Sequence, residues 1–80
     1  MTGTKKLPLI PARKLINALL RFGFYIDHQK GSHIVLKSAD DTRTLVVPDH
    51  PEIDRGTLKA ILKQAGIDVK TLLDILVLLR

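Results

Sequence analysis

The stretch Phe24-Tyr25-Ile26-Asp27-His28-Gln29-Lys30-Gly31-Ser32-His33-Ile34-Val35-Leu36-Lys37 decides the fold. Residues 24–29 and 32–37 alternate at the period of two that a half-buried strand requires, and Lys30-Gly31 punctuates them, so the stretch reads as a β-hairpin. Its register follows from keeping one face oily. A turn on Lys30-Gly31 alone places Phe24 and Ile26 on one face with His33 and Lys37, and Ile34 and Leu36 on the other with Tyr25, Asp27 and Gln29. A three-residue loop of Gln29, Lys30 and Gly31, with Gly31 left-handed, instead pairs Phe24, Ile26 and His28 with Leu36, Ile34 and Ser32. The core face is then clean, and this is the register expected. The opposite face carries Tyr25, Asp27, His33, Val35 and Lys37, with Asp27 directly across from His33 and His28 turned to the core side.

Downstream of the hairpin, Ser38-Ala39-Asp40-Asp41-Thr42 is a polar turn that leads into a third strand, Arg43-Thr44-Leu45-Val46-Val47, closed by Pro48. Upstream, Ala12, Leu15, Ile16, Leu19 and Leu20 recur at helical spacing, with Arg13, Lys14, Asn17 and Arg21 on the opposite face. Pro11 suits the first turn of that helix and Gly23 its left-handed end. Beyond a loop over residues 49–53, Asp54 is placed as the N-cap of a second helix, in which Leu58, Ile61, Leu62 and Ala65 form the apolar stripe and Gly66 is the stop. Asp68 is a further N-cap.

The order is therefore α-β-β-β-α plus a short C-terminal helix. This is an α+β domain, a three-stranded antiparallel sheet with helices packed on one face, similar in order to double-stranded-RNA-binding domains. The other sheet face is left free for function. Residues 1–10 are expected to be irregular, because Pro8 and Pro11 bracket Leu9-Ile10. Residues 67–80 are apolar almost all round, so that helix must be covered, either by packing back on the core or by a partner or a second copy of the chain.

A chain of 80 residues makes one domain, residues 1–80, and buries only about 60% of the surface its unfolded form exposes. Its 45% hydrophobic and 26% charged residues exclude a disordered tail. With no cysteine there are no disulfides, no thiolate nucleophile and no Cys-type zinc site, which fits a reducing cytoplasm. Two lysines near the start are followed by no apolar core of a leader, and no run approaches the roughly 20 apolar residues that span a bilayer, so neither secretion nor a membrane span is expected. A net charge of +5 favours an anionic partner, of which nucleic acid is the commonest for a small basic domain.

Gln29-Lys30-Gly31-Ser32-His33 concentrates a turn, a cation, a hydroxyl and an imidazole within a few positions. His33 is the candidate proton-transfer residue, and Asp27 the carboxylate that orients its ring and stabilises its charged form. Lys30, Ser32 and Lys37 offer the cations and donors that a phosphodiester needs. Arg55, Lys59 and Lys63 line the outer face of the second helix as a stripe of phosphate-tracking cations, or simply as a solvated face. His50, after Pro48, either touches substrate or organises its loop. No pair of histidines has a metal-ligand spacing such as His-x3-His, and no phosphate-binding loop or serine elbow is present, so neither metal nor cofactor is expected.

Four segments together resemble the HicA toxin family: Leu20-Arg21-Phe22-Gly23-Phe24, Gln29-Lys30-Gly31-Ser32-His33, Val47-Pro48-Asp49-His50, and Gly56-Thr57-Leu58-Lys59-Ala60-Ile61-Leu62-Lys63-Gln64-Ala65-Gly66. The likeness runs from about Lys14 to Ile67. It implies the toxin of a toxin-antitoxin pair with a double-stranded-RNA-binding-domain-like fold, an mRNA interferase that cleaves mRNA and stops translation, held in check by a HicB-type antitoxin that covers the site. The family's catalytic histidine, in its Gly-Ser-His motif, matches His33. Many members carry a second histidine directly after it, where this chain has Ile34. The chemistry agrees: RNA brings its own nucleophile in the 2′-OH, so one histidine that moves a proton, with cations on the phosphate, suffices without a metal. The competing class is a non-catalytic RNA-binding module of the same fold.

Overall fold

The computed structural model describes residues 7–79. The first helix, α1 (Ala12–Arg21), buries Ala12, Leu15, Ile16, Ala18 and Leu19, as the periodicity requires. Leu20, at the margin of that stripe, is 44% exposed. Pro11 sits one position before the helix as its N-cap and not inside the first turn. Proline has no side chain with which to cap, and the amide of Ala12 donates instead to the backbone carbonyl of His50 at 3.0 Å, which satisfies an otherwise orphaned donor.

Strands β1 (Phe24–Lys30), β2 (His33–Ser38) and β3 (Thr44–Pro48) form an antiparallel sheet in the order β1-β2-β3. Phe24, Ile34, Leu36, Leu45 and Val47 are buried on one face under α1 and the second helix, α2 (Arg55–Ala65). Asp54 caps α2 as expected, with Oδ1 accepting from the Thr57 amide at 2.7 Å, and Gly66 ends it in the left-handed conformation at φ 74°. Arg43, at the entry to β3, donates from Nη1 to the carbonyl of Gln64 at 2.8 Å, one of the last acceptors of that helix. Its guanidinium lies so close to Gly66 that a Cβ there would stand 3.2 Å from it.

The third helix, α3 (Val69–Leu79), starts from Asp68, whose Oδ1 accepts from the Thr71 amide at 2.7 Å. It packs back on the core: Leu72 is fully buried, and Ile75, Leu76 and Leu79 lie against the core cluster. The covering is incomplete, since Val77 and Leu78 are 62% and 76% exposed. The start of the chain is less irregular than its prolines suggest. Ile10 bridges Ile53, whose amide donates to the Ile10 carbonyl at 2.8 Å, and Leu7 and Ile10 are both buried. The rest of that expectation, residues 1–6, lies outside the described residues.

The hairpin register differs from the one expected. Lys30 pairs with His33, Gln29 with Ile34 and His28 with Val35, and then the register shifts, so that Ile26 pairs with Leu36 and Phe24 with Ser38. The turn is therefore the two residues Gly31-Ser32, with Gly31 at φ 58° as the first central residue of a type II′ turn demands. The extra residue is absorbed by a β-bulge, in which Asp27 and His28 together oppose Val35. A two-residue turn keeps the right-handed twist of the strands, and the bulge then restores Phe24 to the oily face, so both requirements are met without the three-residue loop. Ile26 is on the core side opposite Leu36 but 50% exposed, because the helical layer covers the edge strand β1 only at its Phe24 end.

Candidate functional site on the open sheet face

Directly paired residues project to the same face of a sheet, so the register defines the uncovered surface. Lys30, His33 and Pro48 form one row across the three strands, His28, Val35 and Val46 the next, and Tyr25, Lys37 and Thr44 the third. His33 is exposed at the first position of the central strand. Its position is fixed from several sides: Gly31 sets the turn, the Gln29 side-chain amide donates to the Gly31 carbonyl at 3.1 Å, and the Asp49 amide donates to the Ser32 carbonyl at 2.7 Å. The side chain of His33 makes no hydrogen bond among the described residues.

The expected pairing of Asp27 with His33 is overturned. The two-residue turn places Lys30 across from His33, and Asp27 lies three positions further along β1, in the bulge. Asp27 is bonded to His28, its Oδ2 lying 2.7 Å from Nδ1, and a carboxylate can only accept, so Nδ1 is the donor. That bond, with Lys37 helping, holds the Asp27 carboxyl below the usual carboxylate range. His28 is likewise not on the core side: its side chain is 57% exposed, on the same open face as His33. Sequence reasoning missed it because residues 27–30 are polar on both faces, and the only available signal was that Gly31-Ser32 suits a type II′ turn.

Of the expected cations, Lys30 is His33's cross-strand partner. Lys37 shares the face but stands four positions further along β2, about 13 Å away at ~3.3 Å per residue. Ser32 occupies the turn. The helical cations are not brought to this site. Arg55 is engaged elsewhere, its Nε donating to the carbonyl of Leu7 at 2.7 Å, and Lys59 and Lys63 are exposed on α2, in the helical layer on the other side of the core. His50 organises its loop through its backbone, its amide donating to the Pro48 carbonyl at 2.8 Å and its carbonyl accepting from Ala12. With Arg13 and Asp49 it lines a shallow cavity of about 210 Å³.

At the far end of the face, Tyr25 Oη donates to Asp41 Oδ1 at 2.5 Å, and this bond pushes the phenol above its ordinary range. The neighbouring turn is held by Asp40, whose Oδ1 accepts from the Ser38 and Thr42 hydroxyls, each at 2.7 Å. These bonds lower the Asp40 carboxyl to about 2, and Asp54 and Asp68 are lowered by their cap bonds. A carboxylate depressed in the folded state binds a proton more readily when unfolded, so its contribution is present above the ordinary range and is lost as pH falls through the folded value. The thermal midpoint should therefore drop steadily from about pH 5 to about pH 2, with a shallower drop in Asp40→Asn. A midpoint flat across that window would contradict these assignments.

Fold and site together define a small basic α+β domain whose sheet is covered by helices on one side and displays histidine and lysine on the other. The model of the family described as HicA toxin of bacterial toxin-antitoxin matches residues 12–67, and the chain belongs to that family. It is thus a toxin of a toxin-antitoxin system, and membership implies an antitoxin as its partner. No curated protein matches the chain. The matched region ends before α3. Ile34, where many family members are expected to have a second histidine, is 7% exposed and points into the core. Among the described residues no helix is long and apolar enough to cross a membrane.

Proposed function

We propose that the toxin acts as a metal-independent endoribonuclease, cleaving mRNA at the open sheet face with His33 as the catalytic residue. The observation that carries this reading is the placement of an exposed imidazole, without a hydrogen bond among the described residues, at the end of the central strand, with Lys30 paired to it on the sheet face opposite the described helices. A phosphodiester seated there has its charge neutralised by Lys30, while His33 takes the 2′-OH proton or supplies one to the leaving 5′-oxygen. Lys37 lies too far away to serve the same phosphate and would contact a neighbouring one, with Ser32 as a donor at the turn. Tyr25 and Val46, 40% and 46% exposed, offer apolar surface against which a base can stack. Lys59 and Lys63 are solvated unless RNA wraps around the domain, and Arg55 is structural. A HicB-type antitoxin covering this face would block the site.

Incubation of the purified chain with RNA in EDTA tests the reading. Cleavage is the expected result. RNA shifted in a gel but left intact would replace it with a non-catalytic RNA-binding module.

A further inference from the structure

We infer that His28 is a second catalytic residue, the general acid for the leaving 5′-oxygen, with Asp27 as its positioning residue; the inference rests on the nuclease reading above and extends it. It is carried by the turn and the bulge together. The two-residue turn puts His28 opposite Val35, on the open face with His33. Continued without a bulge, the same register would pair Asp27 with Leu36 on the core side; with the bulge, Asp27 joins His28 opposite Val35, and re-aiming a side chain beside a site is what such bulges do.

His28 and His33 are diagonal neighbours on β1 and β2, since His28 pairs with Val35 and His33 with Lys30. Diagonal Cα atoms of this kind lie about 7–8 Å apart, with the side chains projecting in parallel. Two imidazoles at that spacing can each hydrogen-bond, at about 2.8 Å, to opposite sides of one phosphodiester. Asp27 accepts from Nδ1 of His28, which leaves Nε2 as the atom directed at substrate and balances the positive charge of the protonated ring. His33 has no carboxylate partner among the described residues, and so the roles divide, His28 as the acid and His33 as the base.

The step balances without water. Neutral His33 accepts the 2′-OH proton as O2′ bonds to phosphorus, the P–O5′ bond breaks, and O5′ takes the Nε2 proton of His28. The products are a 2′,3′-cyclic phosphate and a 5′-hydroxyl, and the histidine pair holds the same number of protons before and after. The other titratable groups of this face are Tyr25, Asp27 and Lys30 on β1, Lys37 on β2 and Asp41 in the β2–β3 turn; β3 contributes Thr44 and Val46, which do not titrate.

The test compares wild type, His28→Gln and Asp27→Asn on ordinary RNA and on RNA with a bridging 5′-sulfur, a leaving group that needs no proton. Wild type should show a bell-shaped pH dependence on ordinary RNA. His28→Gln should be slower by about 10²–10⁴-fold, the range for loss of a general acid, should lose the high-pH limb of the bell, and should recover to near the wild-type rate on the sulfur substrate. Asp27→Asn should lie between the two. A His28→Gln enzyme with the wild-type rate and profile, or one equally slow on both substrates, overturns the inference and leaves His33 alone in the site. Inactivity of wild type on both substrates would instead overturn the nuclease reading itself.

Discussion

Replacing His33 with alanine should reduce RNA cleavage by about 10²–10⁴-fold or more, the loss expected when a proton-transfer group is removed, and should leave the fold and RNA binding intact. The side chain is exposed and makes no hydrogen bond among the described residues, so the cost in stability should stay within the roughly 0.5 kcal/mol typical of surface substitutions. Lys30, Lys37 and the open face are all retained in this variant, so its affinity for RNA should be close to that of wild type. Far-ultraviolet dichroism and a thermal melt check the fold, a gel shift checks binding, and a timed digest checks activity. Persistent cleavage by cleanly purified His33→Ala protein would remove the histidine from the chemistry.

The second large effect concerns the layers. Leu36 and Val35 are consecutive residues of the central strand and project to opposite faces; Leu36 is 0% exposed beneath the helices, whereas Val35 is half-buried on the open side. Leu36→Ala should cost about 2–5 kcal/mol, from lost transfer energy and the cavity left behind. A domain of this size has a total stability of roughly 4–12 kcal/mol, so the variant should melt well over 8 °C lower, at ~4–8 °C per kcal/mol, or fail to fold. Val35→Ala should cost far less. Comparable losses at both positions would mean that the sheet is covered on both faces and that no open surface exists for RNA.

How much of this was legible in the sequence depended on where hydrophobicity marks a face. The helices were readable because their apolar stripes are continuous and their ends carry local chemistry: Asp54 and Asp68 accept from amides three positions on, and Gly66 takes the left-handed conformation. The element order and the core face of β2 and β3 were equally plain. The register of β1 was not. Its last apolar mark is Ile26, and Asp27, His28, Gln29 and Lys30 can face either way, so alternation alone could not register a bulge among them. The shorter turn took Asp27 away from His33 and brought His28 onto the open face, and the bulge set Asp27 beside it.

Tertiary contacts account for the other differences. The fourfold spacing of Arg55, Lys59 and Lys63 suggests one cationic stripe, yet Arg55 is tied to the carbonyl of Leu7, 48 residues away in sequence, and Arg43 is tied to the end of α2. Nothing local in the sequence announces either bond. The burial of Leu7 and Ile10 was likewise hidden, because the bridge from Ile10 to Ile53 pairs segments that flank prolines and carry no strand pattern.

The chemical identity of the new RNA ends tests the central claim most directly. Mass spectrometry of fragments made by the wild-type chain in EDTA should find 5′-hydroxyl ends and 2′,3′-cyclic phosphates, the products of attack by RNA's own 2′-OH under histidine acid-base catalysis. Fragments ending in 3′-hydroxyl and 5′-phosphate, or RNA that stays whole, would contradict it.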